Sequence, residues 1–85
     1  MKSFSYQITD PIGIHARPAG QIVTAAKKFQ SKITIAHAGK QTDATRLMSL
    51  MGLGVRHGST ITVTAEGPDE AEAAAQMLIL LQELL

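Results

Sequence analysis

The sequence predicts an α+β protein: an open-faced two-layer sandwich of element order βαββαβα, with a four-stranded antiparallel sheet ordered 1-4-2-3 and three helices on one face. Three observations carry this reading. Apolar and polar residues alternate with period two in separate short segments, as half-buried strands require. Two longer segments place apolar residues at helical spacing. The chain has 85 residues, 45% of them apolar, enough for one small domain spanning residues 1–85 and too short for two independent cores.

The elements follow in order. Ser3–Thr9 sets Phe4, Tyr6 and Ile8 on one side and Ser3, Ser5, Gln7 and Thr9 on the other, the pattern of a first strand. Asp10-Pro11-Ile12-Gly13-Ile14 breaks it. Ala19, Ile22, Val23, Ala26 and Phe29 then recur along one face of a helix starting near Ala16, whose other face holds Arg17, Gly20, Gln21, Thr24, Lys27 and Lys28. Lys32–His37 and Lys40–Asp43 form a hairpin around Ala38-Gly39. Thr45 can cap a short helix from Arg46 to about Leu53, ended by Gly54. That helix carries Leu47, Met48, Leu50, Met51 and Leu53, more apolar side chains than one face can bury, so some stand exposed as contact surface. Ser59–Ala65 alternates as a fourth strand, with its threonines outward. The last helix opens at Pro68-Asp69-Glu70, with proline at its first position, and packs through Ala71, Ala74, Ala75, Leu78 and Leu81. A right-handed crossover between the first two strands leaves a gap that the fourth fills antiparallel to both.

Composition removes several classes of function. The 18% of charged residues excludes a disordered chain or a coiled coil. The longest apolar run, Met77–Leu81, is far short of a membrane span, and no leader is apparent, so neither membrane insertion nor export is expected. Without cysteine there is no disulfide or thiolate chemistry, in keeping with a cytoplasmic location. All eight basic residues lie in residues 1–64 against Asp10 and Asp43, whereas residues 65–85 hold five acids and no base. A basic front of this kind suits an acidic partner or a phosphate, or is simply a solvated face. Nucleic acid is not expected as a partner, because only Phe4, Tyr6 and Phe29 are aromatic and no dense basic stripe exists. His37 and His57 lack metal-ligand companions, and Gly52-Leu53-Gly54 with Gly58 has the wrong spacing and context for a nucleotide loop, so no metal or cofactor is expected.

One segment carries chemistry. His15 precedes the first helix in Gly13-Ile14-His15-Ala16-Arg17-Pro18, where free N–H groups of the first turn attract an anion. Ser, Thr, Asp or Asn would cap that helix better. A neutral imidazole there has a ring-nitrogen lone pair to offer for attack. Arg17 supplies a permanent cation suited to phosphate, and Pro18 sacrifices no intrahelical bond. From the residues alone, a surface histidine and a phosphoryl acceptor stand as equal alternatives. No P-loop, acid–base carboxylate pair or neighbouring carboxylate to serve His15 is visible in the sequence, which argues against a self-sufficient enzyme.

The run Gly13-Ile14-His15-Ala16-Arg17-Pro18-Ala19 resembles the active-site signature of HPr, the histidine-containing phosphocarrier family of the bacterial sugar phosphotransferase system. The likeness continues through Gly39-Lys40, Leu47–Val55, Gly58-Ser59 and the Ala-Glu-Gly-Pro-Asp-Glu-Ala run before the last helix. It implies that His15 accepts a phosphoryl group at Nδ1 from phosphorylated Enzyme I, charged by phosphoenolpyruvate, and passes it to IIA domains of sugar permeases. Arg17, the Ala16 N–H and Pro18 would complete the site. The implied docking surface comprises Gly20, Gln21, Thr24 and Lys27 with Arg46, Leu47, Met48, Met51 and Gly52, on a monomer. A related carrier in a nitrogen-related or other regulatory relay, an HPr domain excised from a larger protein, and a noncovalent interaction domain are the alternatives. Arg46 stands where relatives from low-GC Gram-positive bacteria carry a regulatory serine. Ser49 lies nearly a helical turn away, so no equivalent seryl control is expected, and Arg46 instead suits docking to acids.

Overall fold

The computed structural model describes all 85 residues. Its elements are β1 (Lys2–Gln7), α1 (Ala16–Ala26), β2 (Lys32–His37), β3 (Lys40–Asp43), α2 (Leu47–Met51), β4 (Thr60–Glu66) and α3 (Glu70–Leu84). The sheet order is β1-β4-β2-β3, antiparallel throughout, as the sequence predicts. Register follows from the alternation: Val63 on β4 faces Phe4 on β1 and Ile35 on β2, so one apolar row crosses three strands beneath the helices. On the opposite face Thr64 stands between Ser3 and Thr34, and Ser3 Oγ lies 3.3 Å from Thr64 Oγ1. Eighteen buried apolar residues form one core, in which Ile8, Ile22, Ile33, Ile35, Leu50, Ile61, Val63, Met77 and Leu81 are the largest side chains.

Five local expectations are corrected. β1 ends at Gln7, not Thr9, because the Thr9 and Asp10 N–H groups donate to the Leu85 carbonyl (2.6 and 2.8 Å) instead of continuing the ladder. β4 runs one residue beyond Ala65, since Glu66 pairs with Lys32. Thr45 does not cap α2: its N–H and hydroxyl both donate to Asp43 Oδ1 (2.8 and 2.6 Å), closing the turn out of β3, and Arg46 takes the N-cap position with no side-chain bond. In α3, Asp69 is the N-cap and Pro68 lies outside the helix. The buried row of α3 is Ala73, Met77 and Leu81, while Ala71 and Ala75 are exposed. An alanine-rich first half has no strong phase of its own, so the larger Met77 and Leu81 decide which face turns inward.

The β2–β3 turn places Ala38 at φ 51° and Gly39 at φ 82°, the left-handed pair that two-residue hairpins demand. Alanine is strained there where asparagine is not. Ala38→Asn is expected to stabilise the protein by about 0.5–1 kcal/mol, read as a higher urea midpoint at unchanged slope.

Three carboxylates tie loops together and set the acid limit of stability. Asp69 accepts from the Ser31 hydroxyl and from the N–H groups of Gln30 and Ser31, joining the turn before β2 to the start of α3. Those bonds, the Ser31 hydroxyl first, hold its pKa below the usual carboxylate value. The Thr45 hydroxyl and N–H do the same for Asp43, and the N-terminal ammonium followed by the Gly67 N–H for Glu70. Groups with folded pKa values below their unfolded ones contribute their full stability at neutral pH and lose it as the pH falls through the folded values. Urea midpoints are therefore expected to hold from neutrality to about pH 4 and to fall below it, more shallowly in Asp69→Asn. An Asp69→Asn profile parallel to the wild type would contradict this.

Candidate active site

The segment entering α1 is held at three points. Asp10 Oδ2 accepts from the N–H groups of Ile12 (3.0 Å) and Gly13 (3.1 Å), closing a turn. Gly13 has φ 87° and lies so close to the neighbouring loop that a Cβ there would fall 2.3 Å from the Val55 carbonyl oxygen. Ile14 donates to that same oxygen (3.2 Å) and buries its side chain in the core. His15 is thus delivered in an extended conformation, φ −128° and ψ −173°, to the N-cap of α1.

There its carbonyl accepts the Ala19 N–H (3.0 Å), while its half-buried ring caps no backbone group. The N–H groups of Ala16 and Arg17 lie in the first turn, where no intrahelical acceptor exists for them, and Pro18, at the third helical position, offers none. Arg17 is exposed and takes no part in a salt bridge; the ion pair in the molecule joins the N-terminus to Glu70. Two backbone donors, a guanidinium and an uncommitted imidazole therefore converge on one helix end, a geometry suited to an oxyanion.

His15, Arg17 and Pro18 line an open cleft of about 270 Å³ together with Asp10, Gln21, Glu83 and Leu84. The expectation that no carboxylate neighbours His15 is thereby corrected: the fold brings Asp10 back across the turn and Glu83 in from the last turn of α3. Asp10 already serves two backbone N–H groups. Glu83 was invisible in sequence because 68 positions separate it from His15; the one available signal was an acid in the last turn of a helix with no base there.

The residues expected to form a docking surface divide between two adjoining helices and their ends. Gln21 and Thr24 are exposed along α1 and Lys27 at its C-cap, and Gly20 is half-buried with open space where a Cβ would stand. The Thr24 hydroxyl bonds back to the Gly20 carbonyl (2.9 Å). On α2 and its ends, Arg46, Leu47, Met48 and Gly52 are exposed and Met51 is half-buried, with Met48 at 77% the most exposed of these apolar side chains. Leu50 and Leu53 are buried, so the five apolar residues divide between core and surface as the sequence requires. His37, for which the sequence showed no metal-ligand companions, is half-buried, its Nδ1 3.0 Å from the Leu53 carbonyl, and ties β2 to the loop after α2. His57 is exposed.

An open-faced βαββαβα sandwich with histidine and arginine at the start of its first helix defines the class of small histidine phosphocarriers. The family described as "PTS HPr component phosphorylation site" matches residues 2–83. The chain belongs to this HPr family, the phosphocarriers of the phosphotransferase system. It is 42% identical to the phosphocarrier protein HPr of Mycoplasma genitalium, covering 98% of this chain and 96% of that one. Identity to the HPr of Buchnera aphidicola subsp. Acyrthosiphon pisum is 45%, over 92% of each chain. Among solved structures, HPr-C-His from Thermoanaerobacter tengcongensis superimposes with a TM-score of 0.92 at 37% identity, covering 98% of this chain and 93% of that one.

Proposed function

We propose that His15 is the phosphoryl acceptor, that the donor is phosphorylated Enzyme I, charged by phosphoenolpyruvate, and that IIA domains of sugar permeases receive the group in the cytoplasm. The observation that carries this reading is the uncommitted His15 ring at a helix N-terminus, sharing one cleft with Arg17, within a chain of the HPr family. In the transfer the Nδ1 lone pair forms the new P–N bond as the donor's bond to phosphorus breaks, its electron pair returning to the donor atom. The Ala16 and Arg17 N–H groups and the Arg17 guanidinium hold the phosphoryl oxygens. The cleft is complete within one chain, so the reading requires only a monomer.

Docking falls to Gly20, Gln21, Thr24 and Lys27 on α1 and to Arg46, Leu47, Met48, Met51 and Gly52 around α2. Apolar Leu47 and Met48 sit beside bases, matching partner faces that are apolar and acidic. Arg46 at the N-cap of α2 gains nothing from the helix dipole and makes no cap bond, which supports a role in docking.

Intact mass after incubation with phosphoenolpyruvate and catalytic Enzyme I tests the reading. One acid-labile phosphoryl group, mapped to the His15 peptide and discharged by a IIA domain, is expected; an unmodified mass refutes it. In the same assay Arg46→Ser should slow transfer most at low salt, and unchanged rates and salt dependence would remove Arg46 from the surface.

A further inference from the structure

Glu83 has no counterpart in the chemistry described so far. It is exposed on the last turn of α3 and forms no salt bridge, yet it lines the cleft that holds His15 and Arg17. Its place is unfavourable for its own helix: a negative charge at a C-terminal end meets the negative pole of the macrodipole, and no base in that turn relieves it. The same end of α3 is fastened to the site loop, where the Leu85 carbonyl accepts from the Thr9 N–H, the Asp10 N–H and the Thr9 hydroxyl. The cleft therefore stands between opposed helix poles. The start of α1 and Arg17 attract an anion; Glu83 and the end of α3 repel it.

We propose that Glu83 sets how strongly the cleft retains the phosphoryl group, destabilising the phosphorylated form so that the protein hands the group on and does not hold it. The inference rests on His15 being the acceptor. Asp10 is the lesser contributor, because its carboxylate is already spent on two backbone N–H groups, whereas Glu83 forms no salt bridge, although Arg17 shares its cleft and Lys28 lines the adjoining one. A carboxylate facing a phosphoryl dianion across open solvent has a modest effect, removed by salt.

The test is the equilibrium between the free and phosphorylated protein in a mixture of phosphoenolpyruvate, pyruvate and catalytic Enzyme I, read by intact mass at one neutral pH. An equilibrium ratio does not depend on how tightly the catalyst docks, so any contact of Glu83 with Enzyme I drops out of the measurement. Glu83→Gln is expected to raise the ratio of phosphorylated to free protein by about two- to fivefold at low salt, and Glu83→Lys by more. Glu83→Asp should stay near the wild type, and the difference should shrink as salt is added. Glu72→Gln, an exposed acid in the first turn of the same helix, controls for net charge. A wild-type ratio in Glu83→Gln, an equal shift in Glu72→Gln, or a shift that persists at high salt would overturn the proposal. If the wild type itself takes no phosphoryl group, the assignment of His15 falls and this inference falls with it; if the wild type is charged and Glu83→Gln matches it, only this inference falls.

Discussion

Replacing His15 with asparagine is expected to abolish phosphoryl acceptance and at the same time to make the protein more stable. The two effects share one cause. The N-cap of α1 is a position where a short polar side chain accepts an N–H bond from the first turn, and His15 makes no such bond. Asparagine can make it, for a gain of about 1 kcal/mol, which in a domain of this size raises the melting temperature by about 4–8 °C. An amide has no nucleophilic lone pair to offer phosphorus, so no phosphoryl group should be detected by intact mass, while circular dichroism shows a native fold. The half-buried ring leaves little core packing to lose. A variant that melts lower than the wild type would mean that the histidine contributes to folding; one that still becomes phosphorylated would place the acceptor elsewhere. The comparison also separates chemistry from structure more cleanly than alanine, which removes the ring and supplies no cap.

Gly13→Ala should do the opposite, damaging the fold and through it the site. Gly13 has φ 87°, and an added Cβ would fall 2.3 Å from the Val55 oxygen and 2.6 Å from the Arg56 Cα, both backbone atoms that no side-chain rotation can move aside. The left-handed strain costs about 1–3 kcal/mol and the overlap adds a comparable amount. Together they give about 2–6 kcal/mol, a large part of the stability of a small domain. The same overlap pushes apart the Ile14 N–H and the Val55 carbonyl, the bond that fixes the chain just before His15. Thermal unfolding should show a fall of tens of degrees or outright loss of the cooperative transition. Where folded protein remains in the cold, phosphoryl acceptance should be slowed as well, since a displacement of about an ångström at a reacting group is costly. Gly20→Ala, where a Cβ meets open space, is the control, expected to melt near the wild type. A Gly13→Ala protein as stable as that control would show that the two loops are free to separate.

Much of this was legible before any coordinates. The hairpin bounds Lys32–His37 and Lys40–Asp43 and the start of α1 follow from periodicity and turn residues, which act over a few neighbouring positions, and the sheet order with its antiparallel pairing follows from the handedness of crossovers. What went astray lay where other groups, near or distant, compete for a local signal. Thr45 has the chemistry of a helix cap, but Asp43 reaches it first. Asp69 caps nothing with its side chain because Gln30 and Ser31 claim both carboxylate oxygens from 39 and 38 positions away. The face of α3 was ambiguous among alanines that fit either side, and was settled by where Met77 and Leu81 meet the sheet.

The sequence by itself determined the alternation of strands and helices, the division of apolar residues between core and surface on α2, and the pairing of His15 with Arg17 at a helix start, because each is a matter of residues within about one turn of one another. Only the tertiary structure decided that Asp10 and Glu83 share the His15 cleft, that the negative end of α3 faces the positive end of α1, and that Gly13 must be glycine. These depend on contacts between segments up to 73 positions apart, formed by packing that no local pattern encodes.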